Sequence, residues 1–286
     1  MKTFLFIFLQ YIAPQHLISR IIGKIASSDI PWIKNVFISR FIDKYNVNMH
    51  EAKVSDWREY TSFNDFFHRE LRDDARDIDE TQESIVSPAD GAFSQLGAIK
   101  NGRIFQAKGQ TFSAAELLGG DESLASEFAD GEFATIYLSP KDYHRVHMPI
   151  TGTLRSMTHI PGALFSVNPV TADNVPRLFA RNERVSAIFD TEIGPVAVVL
   201  VGAMIVASID TVWAGQIAPT GKEISTTTYN AKPIKIQRGE EMGRFKLGST
   251  VVLLFPKSTI EWKENIEPSN AVFMGNKIAS IVKSIT

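Results

Sequence analysis

The hydrophobic pattern of the chain changes character along its length. Residues 3 to 13, TFLFIFLQYIA, are almost continuously apolar. HLISRIIGKIA then places Leu17, Ile18, Ile21, Ile22 and Ile25 on one helical face, with Arg20 and Lys24 to one side, the spacing of an amphipathic helix. PWIKNVFISRFIDKY repeats the arrangement, and Pro31 suits a first helical turn. TSFNDFFHRELRDDAR offers Thr61 or Ser62 as an N-cap, followed by Phe63, Phe66, Phe67 and Leu71 at helical spacing. This predicts a linking helix packed on the core, with His68 at the surface. After Ile85 the pattern shortens to apolar runs punctuated by Gly, Pro, Asn and Asp, such as FATIYLSP at 133 to 140, GPVAVVLVGAMIVASI at 194 to 209 and STVVLLFP at 249 to 256, which read as strands. A short helical pattern near SAAELLG is the exception. With no internal repeat and no low-complexity linker, the expected class is α+β: amino-terminal helices over residues 1–60, followed by one β-rich domain over 61–286.

Charge separates the same two parts. Residues 1 to 46 hold six basic side chains (Lys2, Arg20, Lys24, Lys34, Arg40, Lys44) against Asp29 and Asp43, a net of +4 within a chain of net −2. The first apolar stretch is too short to span a bilayer, because eleven helical residues reach about 16 Å of the ~30 Å hydrocarbon core. Pro14-Gln15-His16 stands where a signal peptide would carry a small-x-small cleavage site, and more apolar helix follows. Apolar helices with basic flanks are suited to lie in the surface of an anionic membrane; a helical subdomain docked on the core, or an oligomer contact, is the competing reading. The balanced overall charge gives no case for nucleic acid. The absence of cysteine excludes disulfides, thiolate nucleophiles and Cys-ligated metal.

Any nucleophile must therefore be oxygen or nitrogen. In SPADGAF, Asp90 occupies a turn context in which Asp ordinarily bonds the local backbone. SPKDYHRVHMP carries His144 and His147 three apart, and neither His50, His68 nor His159 stands at a spacing that suggests a third metal ligand; no metal is expected. In RFKLGSTVVLLFP, Gly248-Ser249-Thr250 leads directly into a run that must be buried. Turn chemistry alone accounts for the Gly-Ser step. An Asp, a His and a Ser in one β-rich domain also suggest a hydroxyl activated by an oriented base. Ser249 lacks the G-x-S-x-G elbow of many hydrolases, and the carbonyl of its own Gly248 is the one guaranteed to lie near it. A serine hydrolase using Asp90, His147 and Ser249 on a lipid ester, and a noncatalytic membrane-binding protein, remain open on these residues alone.

The segment FKLGSTVVLLFP resembles the L-G-S-T or F-G-S-T processing site of bacterial phosphatidylserine decarboxylases. SPADG at 87 to 91, QAKGQTFSAAELLG at 106 to 119, SPKDYHRVHMPITG at 139 to 152, HIPGALFSVNP at 159 to 169 and LFARNERV at 178 to 185 resemble further blocks of that family in the same order. Together they cover the chain from Phe63 to about Pro256, while the amino-terminal part matches in character.

The resemblance implies autocatalytic serinolysis. Ser249 attacks the Gly248 carbonyl, the resulting ester is lost by β-elimination, and residue 249 becomes a covalent pyruvoyl group at the head of a short chain running to Thr286. It further implies that Asp90 and His147 orient and activate Ser249. A Schiff base between phosphatidylserine and the pyruvoyl group then allows loss of CO2, with His144 as proton donor to the substrate carbon, giving phosphatidylethanolamine. Ser166, in the loop PGALFSVNP, is a candidate head-group contact. The expected setting is the cytoplasmic face of a bacterial inner membrane, bound peripherally, with the chains 1–248 and 249–286 held together and a homodimer as the assembly.

Overall fold

Proline and asparagine punctuate the amino-terminal helices. In a computed structural model that describes residues 2–204, 208–218, 221–246 and 249–282, helix α1 runs Lys2–Ile12, α2 Gln15–Ala26 and α3 Pro31–Tyr45. Pro14 precedes α2, and the axes of the first two helices meet at 89°. Among the described residues no single helix is long and apolar enough to cross a membrane. Asn46 closes α3 in the left-handed conformation (φ 51°), which Asn tolerates through local hydrogen bonding.

These helices are turned opposite to those of an ordinary soluble core. The buried residue of α1 is Gln10, and those of α2 are Ser19, Gly23 and Ala26. Phe4, Leu5, Phe8, Leu9, Ile12, Leu17, Ile21 and Trp32 are exposed, Phe4 at 76% and Trp32 at 71%. Small and polar residues thus make much of the protein contact, together with the partly buried Ile7 and Ile22. The predicted face of α2 is split, with Leu17, Ile21 and Ile25 outward and Ile22 packed against the core.

The linking helix α4 spans Phe63–Phe67, with the Ser62 hydroxyl accepting from the Asp65 amide at 3.1 Å. It is shorter than its pattern predicts. The chain turns after Phe67, and Leu71 pairs instead with Ala52 in an isolated bridge. That turn corrects the placement of His68: it is half-buried, its carbonyl accepting from Arg145 Nε at 2.9 Å. Phe41 of α3 stands edge-on to Phe63, Phe66 and Phe67 at 5.1, 6.0 and 5.8 Å, an arrangement that aromatic quadrupoles favour. This cluster fastens α3 to the linking helix.

The β-rich part is built on an antiparallel sheet whose middle strands are Arg184–Thr191, Gly194–Val201, Ser249–Phe255, Glu132–Leu138 and Gly91–Ala98, in that spatial order. The strand Ser249–Phe255 is buried at every residue, which explains a continuous apolar run in place of alternation. A second sheet carries Arg145–His147 against Glu241–Phe245, and a third joins Ser84–Val86, Lys277–Ile281 and Ile260–Trp262. The long apolar stretch from 194 forms a strand to Val201 and breaks at Gly202, whose amide donates to the Glu183 carbonyl at 2.9 Å.

Candidate active site

Ser249 opens the central strand, where it pairs with Leu138 while Thr250 pairs with Val201 on the other side. A strand flanked on both edges and covered on both faces gives its first residue no route to solvent, so Ser249 is 0% exposed. Its Oγ has no hydrogen-bond partner among the described residues. A buried hydroxyl left without a partner carries a desolvation cost of about 1–3 kcal/mol, a state that the neighbouring Thr250 hydroxyl shares. Gly248 lies outside the described residues.

The turn that follows Leu138 brings the first histidine beside this strand. Just upstream of Ser249, the Phe245 amide donates to the His144 carbonyl at 3.0 Å, so the chain entering Ser249 is tied to the 138–144 turn at both ends. His144 is itself 0% exposed. Its Nδ1 donates to the Asp142 carbonyl at 2.8 Å, which leaves Nε2 as a bare lone pair without a partner among the described residues. The Phe67 ring lies 4.1 Å away, centroid to centroid. Burial pushes the His144 pKa down to about 3, with Arg69 adding to the effect, because a low dielectric disfavours the charged ring. His144 is therefore a neutral base.

His147 lies at the end of the short strand Arg145–His147, and both of its nitrogens are engaged. Nδ1 donates to the Gly239 carbonyl at 2.8 Å, and Nε2 accepts from the Tyr143 hydroxyl at 3.0 Å. Burial lowers its pKa as well and raises that of Tyr143. The His147 amide donates to the Pro88 carbonyl at 2.8 Å, which places the strand against the SPADG loop. In that loop the Asp90 carboxylate receives Arg76 Nε at 3.0 Å and Nη2 at 2.5 Å, together with the Met274 amide at 2.9 Å. Arg76 Nη2 also reaches Glu51 at 2.7 Å.

One backbone hydrogen bond thus ties the His147 strand to Pro88 of the loop that carries Asp90, and another ties His144 to Phe245, four residues before Ser249. Among the described residues Asp90, His147 and Ser249 are not hydrogen-bonded to one another. Ser166 is half-buried; its amide donates to Gln10 Oε1 of α1 at 2.8 Å, and its hydroxyl accepts from Asn168. Leu164 and Gly162 of the same loop bond Gln15 and His16 of α2, so the loop is the dock for the exposed helices. An apolar groove of about 600 Å³, lined by Ile22, Phe37, Phe41, Phe63, Phe67 and Met204 among others, runs between these helices and the turn, with Arg40 and Lys44 at its border. The sequence did not single out Tyr143, Arg76 or Arg69. Tyr143 directly precedes His144 in SPKDYHRVHMP, which was the available signal; the arginines stand among other charges that nothing local distinguishes.

A family model described as phosphatidylserine decarboxylase matches residues 63–280, and a second, described as PSD, matches residues 5–46. Among curated relatives, a phosphatidylserine decarboxylase proenzyme of Pseudomonas putida is 57% identical over 99% of this chain and 100% of its own length. Proteins of the same description from Saccharophagus degradans and Hahella chejuensis are 58% and 56% identical, each covering 98% of this chain and 99% and 95% of their own lengths.

Proposed function

The chain belongs to the phosphatidylserine decarboxylase family, and from that premise we propose that it converts phosphatidylserine to phosphatidylethanolamine and CO2 with a pyruvoyl group made from its own Ser249. The observation that carries the reading is the Ser249 hydroxyl: fully enclosed, without a partner among the described residues, and at the head of the central strand of a chain whose relatives are named proenzymes. A hydrolase acting on an external ester needs an exposed elbow, which this position is not.

Maturation in this reading begins when Ser249 Oγ gives up its proton and attacks the Gly248 carbonyl. The amide nitrogen of residue 249 leaves and is protonated, giving an ester. Removal of the residue 249 Cα proton then expels the Gly248 carboxylate, and water releases ammonia from residue 249. His147 is the proposed base, taking the Oγ proton at Nε2 once the Tyr143 hydroxyl gives way; Asp90, clamped by Arg76, holds the loop that carries the Pro88 contact. The site fits the group that results, since the Ser249 hydroxyl has no hydrogen-bond partner among the described residues and the position is closed to solvent. Once formed, the pyruvoyl group supplies an electrophilic ketone and a sink for the electrons freed by CO2 loss.

The remaining roles belong to the chain's own side chains. His144 Nε2, a neutral lone pair, takes a proton from solvent water and delivers it to the substrate carbon that CO2 leaves, and the Asp142 carbonyl fixes the tautomer that makes this possible. The groove ends on Phe67, whose ring packs on His144, a route suited to a lipid that stays in the membrane surface, and Ser166 lies apart from it in the loop that the helices brace. Residues 1–60 serve as the membrane-binding region and 61–286 as the decarboxylase domain, bound peripherally at the inner face of the bacterial membrane.

Denaturing gels and intact mass test this. Ser249→Ala is expected to remain one chain of 286 residues, whereas His144→Ala is expected to yield two chains and a trappable carbonyl, with turnover down about 10²–10⁴-fold. Two-chain product from Ser249→Ala, or near-normal turnover by processed His144→Ala, overturns the corresponding assignment.

A further inference from the structure

Arg69 is a buried cation whose hydrogen bonds are largely unused. It is 4% exposed, and Nη2 donates to the Lys141 carbonyl at 3.0 Å. Nε and Nη1 have no partner among the described residues. The guanidinium packs 5.5 Å from the centre of the Phe66 ring, no carboxylate forms an ion pair with it among the described residues, and burial lowers its pKa. Charged groups enclosed in this way are paired or coordinated in stable proteins, because an uncompensated buried charge costs several kcal/mol. The neighbouring acids are committed elsewhere: Asp90 and Glu51 to Arg76, and Asp142 to the Ser139 amide and hydroxyl.

The location gives these unused donors a meaning. Arg69 lines a cavity of about 730 Å³ that also touches Asp90, Ser139, Lys141 and Tyr143. It grips the Lys141 carbonyl, while His144 Nδ1 grips the next carbonyl, that of Asp142. The two side chains are therefore fixed on successive peptide units of one turn. Arg69 also follows Phe67, whose ring lies against His144, by two residues. An anion bound by the guanidinium, in the multidentate manner in which arginine binds oxyanions, would meet the same turn that carries His144, after a small shift of the enclosed Nε and Nη1.

We propose that Arg69 binds the phosphodiester of the substrate head group and so positions the neighbouring serine moiety against His144 and residue 249. The inference rests on the decarboxylase reading above. The substrate offers two oxyanions, and the chemistry separates them. The carboxylate surrenders its charge as neutral CO2 departs, so a guanidinium fixed on it stabilises the ground state more than the transition state and slows the reaction. The phosphodiester keeps its charge throughout, and holding it is binding energy retained at every step.

The test uses the mature full-length enzyme and glycerophosphoethanolamine, which has the phosphodiester without the carboxylate. Wild-type enzyme is expected to bind it saturably by calorimetry and to be inhibited competitively, while free serine neither binds nor inhibits. Arg69→Gln and Arg69→Lys are expected to mature to two chains at the wild-type rate, with KM for phosphatidylserine in mixed micelles raised about 10–100-fold, kcat within about threefold, and inhibition by glycerophosphoethanolamine lost, as expected for removing a charge-assisted contact. A KM within twofold of wild type in either processed variant overturns the proposal. So does the absence of saturable binding to wild-type enzyme, which decides the matter even if both variants fail to fold. Arg69-dependent inhibition by serine would transfer the contact to the carboxylate and likewise overturn it. A wild-type chain that neither matures nor releases CO2 refutes the decarboxylase reading instead.

Discussion

Buried histidines set the pH response at the scale of single residues. His144 has its pKa pushed from 6.5 down to about 3, and those of His68 and His147 are also lowered, each chiefly by burial. A depressed histidine binds its proton more readily in the unfolded chain. Its stabilising contribution is therefore complete above the unfolded value near 6.5 and is lost progressively as pH falls towards 3. At pH 5, His144 alone removes about 2 kcal/mol relative to neutral pH. Urea midpoints measured from pH 7.5 to 5 are expected to fall at constant m-value, and His144→Gln is expected to flatten that slope while lowering stability at pH 7.5. Equal slopes in the two proteins would mean that His144 is not neutral in the fold. A mostly neutral His144 also explains why an acid-base role at Nε2 does not need an acidic partner: the Asp142 carbonyl fixes the tautomer, and no carboxylate is required to hold the ring.

The decisive feature at the scale of elements is how α1 and α2 meet the protein. Their side chains reach the 162–166 loop as hydrogen-bonding groups, Gln10 to Ser166, Gln15 to Leu164 and His16 to Gly162, and leave most of the large apolar side chains outside, Ile7 and Ile22 excepted. Burying those side chains in lipid adds to stability without undoing the dock. Phe4 of α1 and Trp32 of α3 are the most exposed large apolar side chains of the amino-terminal helices, so the double substitution Phe4→Ser, Trp32→Ser is expected to change the melting temperature by no more than about 2 °C, given the small effect of exposed positions. Partitioning onto anionic vesicles is expected to fall by more than about tenfold, at ~1.5–3 kcal/mol per large apolar side chain. Raising the salt concentration should weaken binding of the wild-type chain, because the basic flanks act through a screened attraction. Unchanged vesicle sedimentation of the double variant would place the anchor elsewhere. Deleting residues 1 to 46 is a poorer test of anchoring, since it also strips Phe41 from the Phe63, Phe66 and Phe67 cluster.

Cleavage before Ser249 would divide the molecule across its core. The segment from 249 supplies the strand Ser249–Phe255 between Glu132–Leu138 and Gly194–Val201, and its later strands Ile260–Trp262, Ala271–Val272 and Lys277–Ile281 enter two sheets. Its Met274 amide closes the coordination of Asp90. The two chains are therefore expected to elute together from gel filtration after maturation and to part in urea only where the far-ultraviolet signal is lost. Release of the short chain before that transition would show that the central strand is not held as its pairing implies. Joining two chains through a strand buried at all seven residues makes dissociation and unfolding one event.

The sequence by itself determined the element types and the chemical vocabulary. Helical periodicity marked α2 and α3, a continuous apolar run marked the buried strand from 249, and the ordered blocks around SPADG, SPKDYHRVHMP and LGST carried the family. These are legible because periodicity and motif order are local properties of the chain. Tertiary structure alone decided that α4 stops after Phe67, that His68 is half-buried, that Tyr143 and the Gly239 carbonyl occupy His147, and that Arg76 clamps Asp90 while Arg69 has no ion-pair partner among the described residues. Several depend on partners many tens of residues away, such as Arg145 for His68, the Gly239 carbonyl for His147 and Met274 for Asp90, and hydrogen bonds of that range are set by sheet register and loop packing, which no local pattern encodes.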